Sequence, residues 1–209
     1  MKKQLLADIG IACFMLSLWA CSKAPTTYFP LGEGRTWNYQ ASVETGLGGK
    51  QAVTLIVTNL AARELKGKKV TPQKDEIQIL GESQFSFEYM AEDEKGIYTF
   101  AEQGSNDAEP KLKVSPCYNL KKPLRVGNSW DTTLDLGGGR SVPAKATVES
   151  VDEVVDVPAG TFKGCVKVRV TATVAEAKGR DQYSWYAQSI GLVKLVDNEM
   201  SLQLVSYAK

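Results

Sequence analysis

Histidine is absent from all 209 residues, and this absence narrows the available chemistry more than any other property of the sequence. Without an imidazole there is no Ser-His-Asp or Cys-His nucleophile system and no His-containing zinc site. Lys, Tyr and paired carboxylates remain as proton carriers, so catalysis is disfavoured but not excluded. No catalytic residue, metal ligand set or cofactor motif is assigned. Charge of one sign is also lacking, with 25 basic against 24 acidic side chains. Removing residues 1–20, which hold Lys2, Lys3 and Asp8, leaves the two kinds equal in number. A neutral chain has no basic stripe for a nucleic acid and no field to steer it toward anionic lipid. The longest uncharged apolar stretch, residues 9–22, falls short of the ~20 residues of a membrane-spanning helix.

What the N-terminus does have is a secretory layout. Lys2 and Lys3 form a positive head, residues 9–20 an apolar core, and the small Ala20 precedes Cys21. The run Leu18-Trp19-Ala20-Cys21 resembles the lipobox of bacterial lipoproteins, in which the cysteine thiol takes a diacylglycerol, the peptide is cut before it and the new amine is acylated. Leu18 and Ala20 fit that pattern, Trp19 departs from its usual small residue, and Cys13 with Gly10 three places back fits worse. The resemblance implies a signal peptide over 1–20, lipidation at Cys21 and a tether over 21–27. It also implies a cell-envelope location, and Ser22 beside the anchor implies the outer membrane, facing the periplasm. Such an anchor is close to permanent, because each buried methylene contributes ~0.8 kcal/mol and more than one chain gives stable attachment. Fully extended, Ser22 to Thr27 reach roughly 20 Å, which keeps residues 28–209 close to the bilayer.

Beyond the signal, strand patterns dominate. Trp37, Tyr39, Ala41 and Val43 alternate with Thr36, Asn38, Gln40 and Ser42, and the same period of two recurs at Phe85–Tyr89, Val142–Val148, Val166–Val170 and Leu202–Leu204. Short strands separated by Gly, Pro, Asn and Asp read as an all-β antiparallel fold, either a barrel or two curved sheets. The motif P-L-x-x-G-x-[ST]-W occurs twice, at Pro30–Trp37 and Pro123–Trp130, each followed by a glycine-rich turn. Gly67 and Gly164 each follow a Lys, and Gly96-Ile97-Tyr98 echoes Gly191-Leu192-Val193. The marks keep their order and nearly their spacing, so we expect two similar halves, about 28–119 and 120–209. The plainer reading is that the motif is a good way to enter a strand.

Cys117 and Cys165 are a candidate disulfide, since an exported chain meets an oxidising compartment; a bridge would contribute ~4 kcal/mol on the chain-entropy model. Two buried free thiols are the alternative. The glycine runs lack the following helix and Gly-Lys-Ser/Thr of a phosphate loop and read as hairpin turns. The acidic run Glu92-Asp93-Glu94 lacks spaced-oxygen calcium geometry, and Asp152, Glu153 and Asp156 read as surface charge. Trp37, Tyr39, Trp130, Tyr183, Trp185 and Tyr186 are candidate pocket aromatics for an apolar ligand or a sugar ring, with simple core packing as the alternative.

Three segments carry a resemblance over most of the chain after the signal. They are Tyr28-Phe29-Pro30-Leu31 with Gly34 and Trp37, Val157-Pro158-Ala159-Gly160-Thr161-Phe162 with Cys165, and Trp185-Tyr186-Ala187 with Ile190-Gly191-Leu192-Val193-Lys194. They resemble a family of exported bacterial lipoproteins with an internally duplicated β-domain, most of them uncharacterised. The likeness implies antiparallel β architecture and lends no catalytic residues. A looser likeness is to half-barrel lipoprotein carriers, whose lid helices have no counterpart in this sequence. Three functions follow as expectations: a lipid-anchored, non-catalytic protein binding an envelope partner; a carrier or sensor of a hydrophobic ligand; or an envelope hydrolase using carboxylates.

Overall fold

The structure, a computed structural model, describes residues 27–44, 49–135, 140–177 and 179–209. The signal, Cys21 and the tether to residue 26 lie outside the described residues.

Thirteen strands follow one another along the chain: β1 (Thr36–Glu44), β2 (Lys50–Asn59), β3 (Arg63–Leu65), β4 (Lys68–Ile79), β5 (Glu82–Asp93), β6 (Gly96–Gln103), β7 (Lys111–Lys121), β8 (Ser129–Asp135), β9 (Ser141–Val157), β10 (Gly160–Ala172), β11 (Asp181–Ala187), β12 (Gly191–Val196) and β13 (Met200–Ala208). A single 3-10 turn, Ala175–Ala177, is the one helical element among the described residues. Twelve strands form an antiparallel meander in the order β7-β6-β5-β4-β2-β1-β13-β12-β11-β10-β9-β8, with β3 attached to β4 alone. The sheet curls into a nearly closed barrel, so of the two architectures compatible with the sequence the barrel is the one formed. Its first and last strands pair antiparallel, Thr36 opposite Ala208 and Val43 opposite Met200, with a one-residue register shift between Asn38 and Tyr39. Among the described residues one junction carries no ladder: β7 and β8 stand at the two ends of the strand order.

The meander fixes which connections share an end. The chain entry before β1, the Glu94–Lys95 turn, the 122–128 connection, the β9–β10 turn and the β11–β12 turn lie at one end; the β4–β5 turn, the 104–110 loop and the 173–180 connection lie at the other. The entry end is filled by apolar side chains. Trp37 is only 4% exposed and its Nε1 donates to Ile190 O at 2.7 Å. The long β9–β10 hairpin packs its tip on β13, Ala159 N donating to Leu204 O at 3.0 Å, and brings Val155 and Cys165 into one cluster with Trp37, Tyr39, Ile190 and Leu204.

The two motif copies fold alike. Gly34 N donates to Asn59 O and Asn59 N to Arg35 O, both at 2.9 Å; Gly127 N donates to Val148 O and Val148 N to Asn128 O, again both at 2.9 Å. Gly34 and Gly127 take φ of 77° and 84°, a left-handed conformation that a side chain disfavours. Trp130, like Trp37, is 4% exposed and spends its Nε1 on a carbonyl, that of Tyr118 at 2.9 Å. Leaving β3 aside, six strands precede the 122–128 connection and six follow it among the described residues.

Candidate functional site

Period-two alternation turns every other residue of each strand inward, and the inward set encloses a cavity of about 460 Å³. The cavity has two unlike walls. Val168 and Val170 of β10, Leu192 and Leu195 of β12, Leu202 of β13 and Leu55 and Val57 of β2 form an apolar wall. Gln73 and Asp75 of β4, Glu88 of β5, Thr99 and Glu102 of β6 and Asn119 of β7 form a polar one. Phe29, Pro30 and Trp37 lie against it at the chain-entry end, while Glu102, Arg140 and Ser141, toward the other end, are exposed.

The polar wall is internally tied. Gln73 Nε2 donates to Asn59 Oδ1 at 2.8 Å, Thr99 Oγ1 donates to Asn119 Oδ1 at 3.2 Å, and Lys113 pairs with Glu102 at 2.5 Å. Asp75 is the outlier: burial, reinforced by the charge of Glu88, pushes its carboxyl from 3.8 up to about 8. Burial likewise raises the hydroxyls of Tyr39 and Tyr186, the latter to about 12, so both stay neutral. Tyr39 spends its hydroxyl on Leu192 O at 3.0 Å.

The structure divides the six sequence-chosen aromatics. Trp37, Tyr39 and Tyr186 line the cavity. Trp130 is buried in the cluster of Leu120, Ala146, Val148 and Val168 but lies outside the lining. Tyr183 and Trp185 alternate with the inward Gln182, Ser184 and Tyr186 and so take the opposite face, where Lys167 stands 4.8 Å and 5.4 Å from the two rings and Lys194 5.3 Å from Trp185. Strand parity, which was readable, separates them; which parity faces inward was not.

Cys117 and Cys165 are free thiols, so the bridge expected between them is not formed. Cys165 is fully buried beside the β9–β10 hairpin tip, its Sγ 3.6 Å from Phe162 O, whereas Cys117 faces the cavity from β7 beside Thr132 and Thr133. The fold gives them different environments on strands that are not neighbours. Burial, with Glu153 adding to it, raises the Cys165 thiol to about 11, which leaves it unreactive. Among the described residues no group of three or more Cys, Asp or Glu side chains converges in a way that could hold a metal ion.

Asp75, Glu88, Gln73 and Asn119 were not singled out from the sequence. Polar residues occupy both faces of β4, so its pattern carries no sign of which face is inside. Asp75 within a strand was the available signal, since Asp is depleted there.

No family model matches the chain. No curated protein matches it either. Two solved structures are similar. One, from Bacteroides fragilis NCTC 9343, is assigned as an exported protein with a YmcC-like fold; it shares 15% identity over 87% of this chain and 98% of its own, at a TM-score of 0.42. The other, assigned as a lipoprotein from Parabacteroides distasonis ATCC 8503, shares 16% identity over 89% of this chain and 100% of its own, at a TM-score of 0.44.

Proposed function

We propose that the chain is a lipid-anchored protein of the cell envelope, anchored in the outer membrane through Cys21, that carries or senses an amphipathic ligand in the lumen of its barrel. One observation carries this reading: the lumen sets an apolar wall of valine and leucine against a polar wall of amide, hydroxyl and carboxyl groups. Its volume of about 460 Å³ lies in the range of about 300–1,000 Å³ common for small-molecule sites. An apolar chain would lie along β10, β12 and β13, with its polar group turned to β4, β5 and β7. The role in this reading is binding rather than catalysis, in keeping with the want of histidine in the sequence.

Native mass spectrometry of the full processed chain, released from detergent in the gas phase, tests it. The expected result is a bound mass beyond the anchor's acyl chains, lost when Ala146→Trp fills the lumen. A wild-type chain that carries only its anchor, even after incubation with single-chain amphiphiles, would sink the proposal.

A further inference from the structure

The wall of the lumen is held by backbone ladders at every strand junction except that between β7 and β8. Neighbouring antiparallel strands ordinarily close by exchanging N–H···O=C bonds. Here side chains hold the junction instead. Cys117 Sγ lies 3.3 Å from Thr132 Oγ1 and 3.4 Å from Thr133 Oγ1, and all three residues border the cavity. A thiol is a weak hydrogen-bonding group, so this latch is soft. Toward the 122–128 connection the junction is pinned: Leu120 and Trp130 share one apolar cluster, Trp130 Nε1 donates to Tyr118 O, and Asn128 Nδ2 donates to Lys121 O at 3.1 Å.

Away from that pin, β7 also loosens from its other neighbour. Its register on β6 runs from Cys117 opposite Thr99 to Leu112 opposite Ala101, so residues 113–116 stand against Phe100 alone. This bulge holds Pro116, which has no N–H to donate, and Val114, whose side chain is fully exposed beside the half-exposed Leu112. An open sheet edge with exposed apolar side chains is ordinarily blunted by charge or cover. At this seam it borders the lumen directly.

We propose that the β7–β8 seam is the gate through which the lumen takes up and releases the apolar chain of its ligand, hinged at residues 122–128 and latched by Cys117 against Thr132 and Thr133. The gate rests on the reading of the lumen as the ligand site. Opening sideways lets a chain enter along its length without crossing the charged rim of Glu102, Lys113 and Arg140.

The native Cys117 supplies its own test. In Thr132→Cys a second sulfur replaces the hydroxyl nearest Cys117, within reach of a disulfide after a small rotation. The full processed chain in lipid nanodiscs is oxidised or kept reduced and given a diazirine-bearing palmitate. Samples are irradiated at successive times, and adducts are read by mass spectrometry on the peptides carrying Val168 and Leu192. Bridging is expected to slow labelling of those peptides at least tenfold, and dithiothreitol to restore it. Equal rates with the bridge open and closed overturn the gate while leaving the lumen site standing. Absence of lumen adducts in the wild-type chain overturns the lumen site and the gate with it. Should Thr132→Cys not fold, Thr133→Cys serves, and failure of both positions to bridge Cys117 overturns the latch.

Discussion

Asn59 shows how much one buried amide can organise. It is 1% exposed; its Nδ2 donates to Pro30 O and Gly32 O, both at 3.1 Å, and its Oδ1 accepts from Gln73. These bonds tie the entry before β1 to the end of β2 and to the polar wall of the lumen. Replacement by Ala strands two carbonyls and one amide, so Asn59→Ala is expected to cost about 2–4 kcal/mol, read as a lower urea midpoint with unchanged slope. A loss under about 1 kcal/mol would mean that water replaces the amide. The sequence marked Trp37 and Trp130 because they repeat within a motif. It did not mark Asn59, whose partners lie far along the chain and leave no local pattern.

At the scale of elements, the β4–β5 hairpin brings two carboxyls into the lumen. Asp75 pairs with Ser86 and Glu88 with Gln73, so the acids are diagonal neighbours on one face. Burial first, then Glu88, lifts Asp75 from 3.8 to about 8. Between those values the folded chain holds a proton that the unfolded chain has released, so this site's contribution to stability is complete at low pH, falls as pH rises and levels off above the folded value. Urea midpoints taken at about pH 5 and about pH 8 should therefore decline for the wild-type chain, and much less for Asp75→Asn. Equal declines in the two proteins would place the effect elsewhere. The elements themselves were largely legible, since β1, β5, β9, β10 and β13 fall on the alternating segments. So were the paired entries at Gly34 and Gly127, whose hydrogen bonds match. The acid pair was hidden because strand parity tells which residues share a face, not which face is inside.

Across the whole molecule, β1 begins and β13 ends at the same end of the barrel, and Ser189 N donates to Thr27 O at 2.7 Å to hold the chain entry there. If Cys21 carries the anchor, that apolar-filled end faces the bilayer and the charged rim at Glu102 and Arg140 faces away. Palmitate labelling in cells checks the premise: label and membrane fractionation are expected for the wild-type chain and lost in Cys21→Ala. Persistence of both in the variant would remove the basis for the orientation.

The sequence by itself determined the strand-rich class, the two matching strand entries and the want of imidazole chemistry, and it set the expectation that Cys21 is an anchor. Each of these is written in local pattern or in composition. Only the tertiary structure decided that twelve strands make one barrel, that Cys117 and Cys165 stay apart, that Tyr183 and Trp185 turn away from the lumen and that Asp75 turns into it. Closure depends on the register summed around the barrel until β13 meets β1, a long-range quantity that no local segment encodes. The same sum leaves β7 and β8 without a ladder, and so places the soft seam where the 122–128 connection joins them.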